Sequence, residues 1–265
     1  MTYMRYLKMA FILIFSHSSY ADNIEILAVD EPPSSYIDSN GHVTGFSIDI
    51  VREIQNRVGD NSPIKVFPEE RALLTALDKP NVLLLAFSRT PEREEDFHWI
   101  TLLLRKPWVL YSNSSKEITL NKLEDAKSVS HIGVVIGDVR EQLLSYQGFK
   151  NLSTTVSHKQ NIRMLQLNRI DLLFYEPLGM AYLSKELKIP LSKFKPVYRS
   201  KSSDVYLMMS KNNTSKSLVD KWRLASKEIK DDGTFESISN QWSIKINQET
   251  GLNYGYKEGA LDLLE

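Results

Sequence analysis

Six consecutive apolar residues, 82–87 (VLLLAF), constrain this chain more than any other feature. A run of that length without polar alternation reads as a strand buried on both faces. Such strands belong to parallel sheets, whose faces must be covered by helices. The preceding segments supply them. Residues 24–29 (IEILAV) read as a buried strand. Residues 46–58 place apolar side chains at 46, 48, 50, 51, 54 and 58, which is helical spacing. Residues 64–67 read as a short strand and 71–77 as a helix. This β-α-β-α-β order predicts a parallel sheet with helices on both sides.

The pattern then begins again. Strands are expected at 106–113, 132–136, 152–156, 171–175 and 204–210, with helices at 139–146, 161–168 and 177–187. Two further helices, 215–230 and 234–242, are separated by Asp231, Asp232 and Gly233. Residues 243–265 lack strong periodicity and read as a loosely attached tail. The predicted architecture is α/β with two lobes: 22–112 and 204–265 form the first, and 113–203 form a second, inserted one. Parallel α/β sheets bind ligands beyond the carboxyl ends of their strands, so two facing lobes make a cleft suited to a small molecule.

Thirty-three basic and 33 acidic residues cancel, which removes the basic face expected of a nucleic-acid binder. With no cysteine, disulfides, thiolate metal sites and cysteine nucleophiles are excluded. Residues 1–21 read as a secretory signal. Arg5 and Lys8 precede the apolar run 9–15 (MAFILIF), and small residues around Ser19 and Ala21 follow. Cleavage after Ala21 is expected, with the mature protein soluble outside the cytoplasm.

Residues 31–57 (EPPSSYIDSNGHVTGFSIDIVREIQNR), 88–99 (SRTPEREEDFHW) and 168–182 (NRIDLLFYEPLGMAY) together resemble bacterial periplasmic solute-binding proteins of family 3, which take polar amino acids. The resemblance runs from about Ile24 to Trp242, and its most specific element is Thr-Pro-Glu-Arg after a buried strand. It implies a type II periplasmic binding protein fold, with residues 106–113 and 202–210 as the two crossover strands. It implies capture of a small ligand by hinge closure, for an ABC permease or a membrane sensor, with no cofactor and as a monomer.

The residues themselves allow several roles. Thr90, Pro91, Glu92 and Arg93 read as the first positions of a helix, where an arginine opposes the helix dipole and a ligand carboxylate would relieve the conflict. The resemblance gives Arg93 the α-carboxylate of a bound amino acid; the alternative is a solvated surface arginine. Glu176 follows a strand and precedes Pro177. The resemblance places it on the α-amino group, where the family usually has aspartate, and capping of the next helix is the alternative. Asp138 stands where the family has serine or threonine. With Glu141 it reads as a capping pair, and lining the cleft is the alternative. Tyr36 and Trp108 are candidate wall residues, against core or hinge packing. Arg71 is either a second anion contact or a surface residue. Ser88 and Arg89 lie at a strand's carboxyl end, where ligand contacts are expected, and Asp171 reads as structural.

No His-Glu-x-x-His, Gly-x-Ser-x-Gly or Walker motif is present, and the histidines show no metal-ligand spacing. Binding is therefore the expected activity. A dehydratase-like cleft enzyme, with Glu176 as acid or base, and a solitary binder with an altered ligand are the alternatives.

Overall fold

The computed structural model describes residues 24–264. The expected signal segment, 1–21, lies outside them. In chain order the elements are β1 (Glu25–Ala28), β2 (Tyr36–Ile37), β3 (Val43–Thr44), α1 (Phe46–Val58), β4 (Ile64–Val66), α2 (Glu69–Asp78) and β5 (Val82–Ser88). Then come β6 (Phe97–Asn113), β7 (Ile132–Val135), α3 (Val139–Tyr146), β8 (Leu152–Thr155), α4 (His158–Gln166), β9 (Leu172–Tyr175) and α5 (Pro177–Glu186). Last are β10 (Phe194–Ser210), α6 (Lys216–Asp231), α7 (Thr234–Thr250), β11 (Gly255–Lys257) and β12 (Ala260–Asp262).

The main sheet runs β4-β1-β5-β10-β6-β9-β7-β8. Its outer strands are parallel in both halves: β1 with β4 and β5, and β7 with β8 and β9. The two central strands are antiparallel, have 17 residues each, and reach roughly 56 Å at a strand's usual rise. That length lets each strand serve both halves. β10 pairs β5 through residues 205–209, while β6 pairs β9 through residues 109–112.

Period-two alternation sends neighbouring side chains into different cores. On β1 and β5, Ile26 and Leu83 join one cluster with α1, α6 and α7, built on Phe46, Ile50, Trp222 and Phe235. Leu27 and Leu84 join another on the opposite face with Ala72 and Ala76 of α2. In the other half Leu172 and Phe174 pack with Leu144 of α3, whereas Leu173 and Tyr175 pack with Ile162 of α4 and Met180 of α5. Burial on both faces is what leaves the strand 82–88 without a single exposed position. Among the described residues no helix is long and apolar enough to cross a membrane.

Two expectations need correction. The central strands begin well before residue 106 and residue 204, at Phe97 and Phe194; in β10 the exposed polar positions of the first half hide the strand signal. The segment 243–265 is not a loose tail. Helix α7 continues to Thr250, and β12 pairs in parallel with β6, Leu261 facing Leu104. Leu261 is 1% and Leu263 4% exposed, and the Leu263 amide donates to the Arg105 carbonyl at 2.8 Å. A three-residue strand has too short a period to be read from sequence, and its partner lies some 150 residues away.

Leu261→Ala should therefore destabilise the protein by about 3 kcal/mol, as expected for a buried leucine. Urea unfolding midpoints would check this. A change within error would mean that the terminal hairpin contributes nothing to the core.

Candidate functional site

Four strand ends converge where the two halves of the sheet face each other. β1 leads into Asp30 and Glu31, β5 ends at Ser88, β7 leads into Gly137 and Asp138, and β9 leads into Glu176. Near its end β5 bulges against β10, between the pairs Leu84–Met208 and Phe87–Tyr206. Ala86 takes φ 65° there, a left-handed conformation rare for a residue with a Cβ. Bulges of this kind re-aim the residues that follow.

The convergence is filled by a buried charge network. The Arg140 guanidinium donates through Nε to Asp138 Oδ1 at 2.7 Å and through Nη2 to Asp138 Oδ2. The same Nη2 lies 3.1 Å from Glu31 Oε1. Lys106, from β6, donates to the other Glu31 oxygen at 2.7 Å. His158, at the start of α4, stacks on Tyr175 with ring centres 4.1 Å apart, and Arg140 lies over the same ring at 5.0 Å. Burial pushes the carboxyls of Asp138 and Glu31 upward. The cations beside them prevail, with Arg140 foremost for Asp138 and Lys106 for Glu31, and both end below their usual values. Burial and then Arg140 depress His158 to about 4, so its ring is neutral.

Asp138 also caps α3, accepting from the Arg140 amide at 2.7 Å. The expected capping partner is absent: Glu141 instead accepts from Ser145. Arg93 is 4% exposed and is no surface residue. It does not open an α-helix either. Residues 91–93 form a single 3-10 turn without a side-chain cap, too short for the dipole conflict inferred from sequence. Its guanidinium donates to the Ser88 carbonyl at 3.2 Å and to Gln142 Oε1 at 3.1 Å, with Nε buried and unpartnered.

Glu176 is buried as the cap of α5, accepting from the amides of Leu178, at 2.8 Å, and Gly179. Burial raises its pKa to about 7, partly opposed by Lys106. It lines a small hollow with Glu31, Lys106, Leu261 and Leu263, apart from Arg93. The Tyr36 and Tyr182 hydroxyls meet at 3.0 Å. Ser88 accepts a hydrogen bond from Ser203 at 2.7 Å. Arg71 is exposed on α2, 4.6 Å over the Phe67 ring. Arg89 pairs with Glu94 away from the convergence, Trp108 packs on Phe174 in a core, and Asp171 binds Lys116. Sequence reasoning thus brought Arg93, Ser88 and Asp138 to one neighbourhood. It missed Glu31, Lys106, Arg140, Gln142 and His158, of which only Glu31 had a signal, its place just after a buried strand.

A cavity of about 280 Å³ opens beside this network. One wall is residues 29–31 and 66–69, the other Val135, Leu183 and residues 156–159. Three carboxylates, Asp30, Glu31 and Glu69, line it, together with His158 and Lys159. Burial, then the charges of Asp138 and Glu31, hold the Glu69 carboxyl well above its usual value. Among the described residues no group of three or more His, Asp or Glu side chains is placed to hold a metal ion.

The sequence profile of the bacterial extracellular solute-binding proteins, family 3, matches residues 26–245. The chain is 22% identical over 215 residues to the L-cystine-binding protein TcyJ of Escherichia coli strain K12, covering 80% of this chain and 78% of that one. A histidine kinase sensor domain with similarity to periplasmic binding proteins superposes with a TM-score of 0.74 at 16% identity, over 83% of this chain and 95% of its own. An ancestral arginine-binding protein bound to arginine gives 0.71 at 20% identity, over 83% and 97%. The fold is thus that of type II periplasmic binding proteins.

Arg140→Leu should leave Glu31 and Asp138 as buried anions short of a partner and destabilise the protein by about 3–5 kcal/mol. A loss below 1 kcal/mol in urea would mean the network is solvated. Glu176 gives a pH signature. Between its ordinary value of 4.5 and about 7 the folded state holds a proton that the unfolded state has lost. Stability must then fall as pH rises through that window. Glu176→Gln should flatten this slope, measured as urea midpoints at pH 5 and 7.5; identical slopes would contradict the assignment.

Proposed function

Because this chain belongs to the bacterial extracellular solute-binding proteins of family 3, we propose that it captures a small charged solute, an amino acid or a related compound, between its two halves. It acts in the periplasm as a monomer, reached through the expected signal segment 1–21, and presents its cargo to an ABC permease or to a membrane sensor. The activity is binding, without a chemical step. The observation that carries the reading is the cavity of about 280 Å³, whose walls come from both halves and whose lining is rich in charge.

In this reading the moving bodies are 22–112 with 204–265, and 113–203, joined by the paired strands β6 and β10. Closure brings Glu31 to Arg140, Arg93 to Gln142 and Tyr36 to Tyr182. A ligand shifts the equilibrium only by the contacts it makes in the closed form alone. Arg93 is the candidate for an anionic ligand group, which would take over from Gln142. Glu176 is the candidate for an ammonium, in competition with the two amides it caps. Ser88, Asp138 and Tyr36 border the same closure, while Arg71 stands outside it beside Phe67.

Closure is tight at Gly137. A Cβ there would lie 2.6 Å from Glu70 Cβ across the gap. Gly137 also takes φ 77°, so Gly137→Val should cost some stability through backbone strain and, at temperatures where the variant is folded, weaken capture at least tenfold. The test is a thermal shift screen of amino acids, organic acids and polyamines on protein unfolded and refolded to shed bound solute, followed by calorimetric titration. A saturating ligand at a hundredfold excess stabilises by about 2.7 kcal/mol. Undiminished affinity in Gly137→Val would remove closure from the mechanism, and a flat response across the whole panel would remove capture.

A further inference from the structure

The match to family 3 ends at residue 245, but α7 runs on to Thr250 and the chain then turns back as β11 and β12. This terminal segment is built onto the first half of the molecule and yet reaches the second. β10 takes one edge of β6 from Phe97 to Asn113, so β9 and β12 share the other edge. β12 pairs at Leu104 and Arg105, and β9 from Val109 to Ser112. Between them lies a gap at 106–108, where Pro107 has no amide hydrogen to give. Facing the gap, β10 slips register between Arg199 and Ser202. Such irregularities break pairing and bend a strand, which puts the pivot of the two halves here.

β12 runs parallel to β6 and β9 antiparallel, so their carboxyl ends approach the gap from its two sides. Leu263 follows one and Glu176 the other, and both line the small hollow. Beyond Glu176 the chain enters α5. Leu178, Tyr182 and Lys185 share one face of that helix, at i, i+4 and i+7. Leu178 is 2% exposed, although it belongs to the second half. It joins the apolar cluster of the first half and lines the hollow with Ile246, Leu261 and Leu263. The Tyr182 hydroxyl, which meets Tyr36, also faces the Glu249 carboxylate. The Lys185 ammonium donates to the Glu249 carbonyl at 3.0 Å.

Resting on the capture reading above, we propose that residues 246–263 are a latch, a third link across the pivot that receives Leu178 and holds the two halves closed. Opening about the gap carries α5 away and exposes Leu178, Leu261 and Leu263 to water, a cost that the closed form does not bear. The apparent affinity for a solute scales with the fraction of molecules already in the competent arrangement. The latch therefore tightens capture without touching the solute.

The test reads the distance between the halves directly. The chain has no cysteine, so Leu74→Cys and Tyr146→Cys carry spin labels at those two places alone. Both positions are exposed, on α2 and α3, the helices that approach each other at Glu70 and Gly137. Pulsed electron resonance on the refolded full chain, without added solute, should show a majority at the closed distance. Leu178→Ala and Leu263→Ala should each raise the share at longer distances at least about threefold. The double variant should add little to the larger single effect, because the two leucines serve one contact. Lys185→Met, on an exposed side chain outside every core, should raise that share by about twofold and serves if a leucine variant fails to fold. A merely structural contact would lower the urea midpoints and leave the distances unmoved, which would overturn the latch. A native background already wholly open, or additive leucine effects, would overturn it as well. Since no solute enters this measurement, failure of capture shows only in the thermal shift screen and failure of the latch only in the distances.

Discussion

Arg140 is held between two carboxylates from opposite sides of the molecule, and much of the architecture answers to that arrangement. Its partner Asp138 sits two residues away on the same helix start, while Glu31 comes from the end of β1. Taking these charges out of water costs several kcal/mol per ion, recovered only by close geometry and further hydrogen bonds. The geometry is supplied from every side: Lys106 completes Glu31, the α3 amide completes Asp138, and the Tyr175 ring lies beneath the guanidinium. Such a network tolerates one placement of the strand ends. It therefore sets how the carboxyl ends of β1 and β7 meet in the closed arrangement, and it leaves the neighbouring cavity with carboxylates to spare.

The same economy explains why Arg93 and Glu176 look unlike free ligand contacts. Each has its polar atoms largely engaged within the protein, Arg93 by a carbonyl and an amide oxygen, Glu176 by two backbone amides. Glu176 lines the smaller hollow and Arg93 lines neither, while Glu31 lines both. Residues that a family resemblance marks as binding groups are here also structural ones.

The fold was largely legible because burial on two faces writes itself into apolar runs such as 82–87 and 132–136, and helix α1 into its spacing. The first half of β10 was not, since its exposed middle carries polar residues, and the start of β6 was not read either. The terminal hairpin was not, since pairing over such a distance leaves no local trace. At the site, Arg93, Ser88 and Asp138 could be placed by their position after strands. Arg140, Lys106, Gln142 and His158 could not, because a charge inside a helix start or strand looks identical whether it meets water or a counter-ion from 100 residues away. The helix expected after Thr90 is a single turn at 91–93, and the bulge at Ala86 just before it is set by tertiary pairing with β10.

The pairing of Leu261 with Leu104 bears on how the molecule assembles in time. The half containing β1 takes β10, α6, α7 and β12 from the last third of the chain. A ribosome needs about 8–30 s to make the residues between those two leucines. Until then the apolar strands at 24–29 and 82–88 have no complete core to enter. That half therefore closes its core only once the last third of the chain has been made.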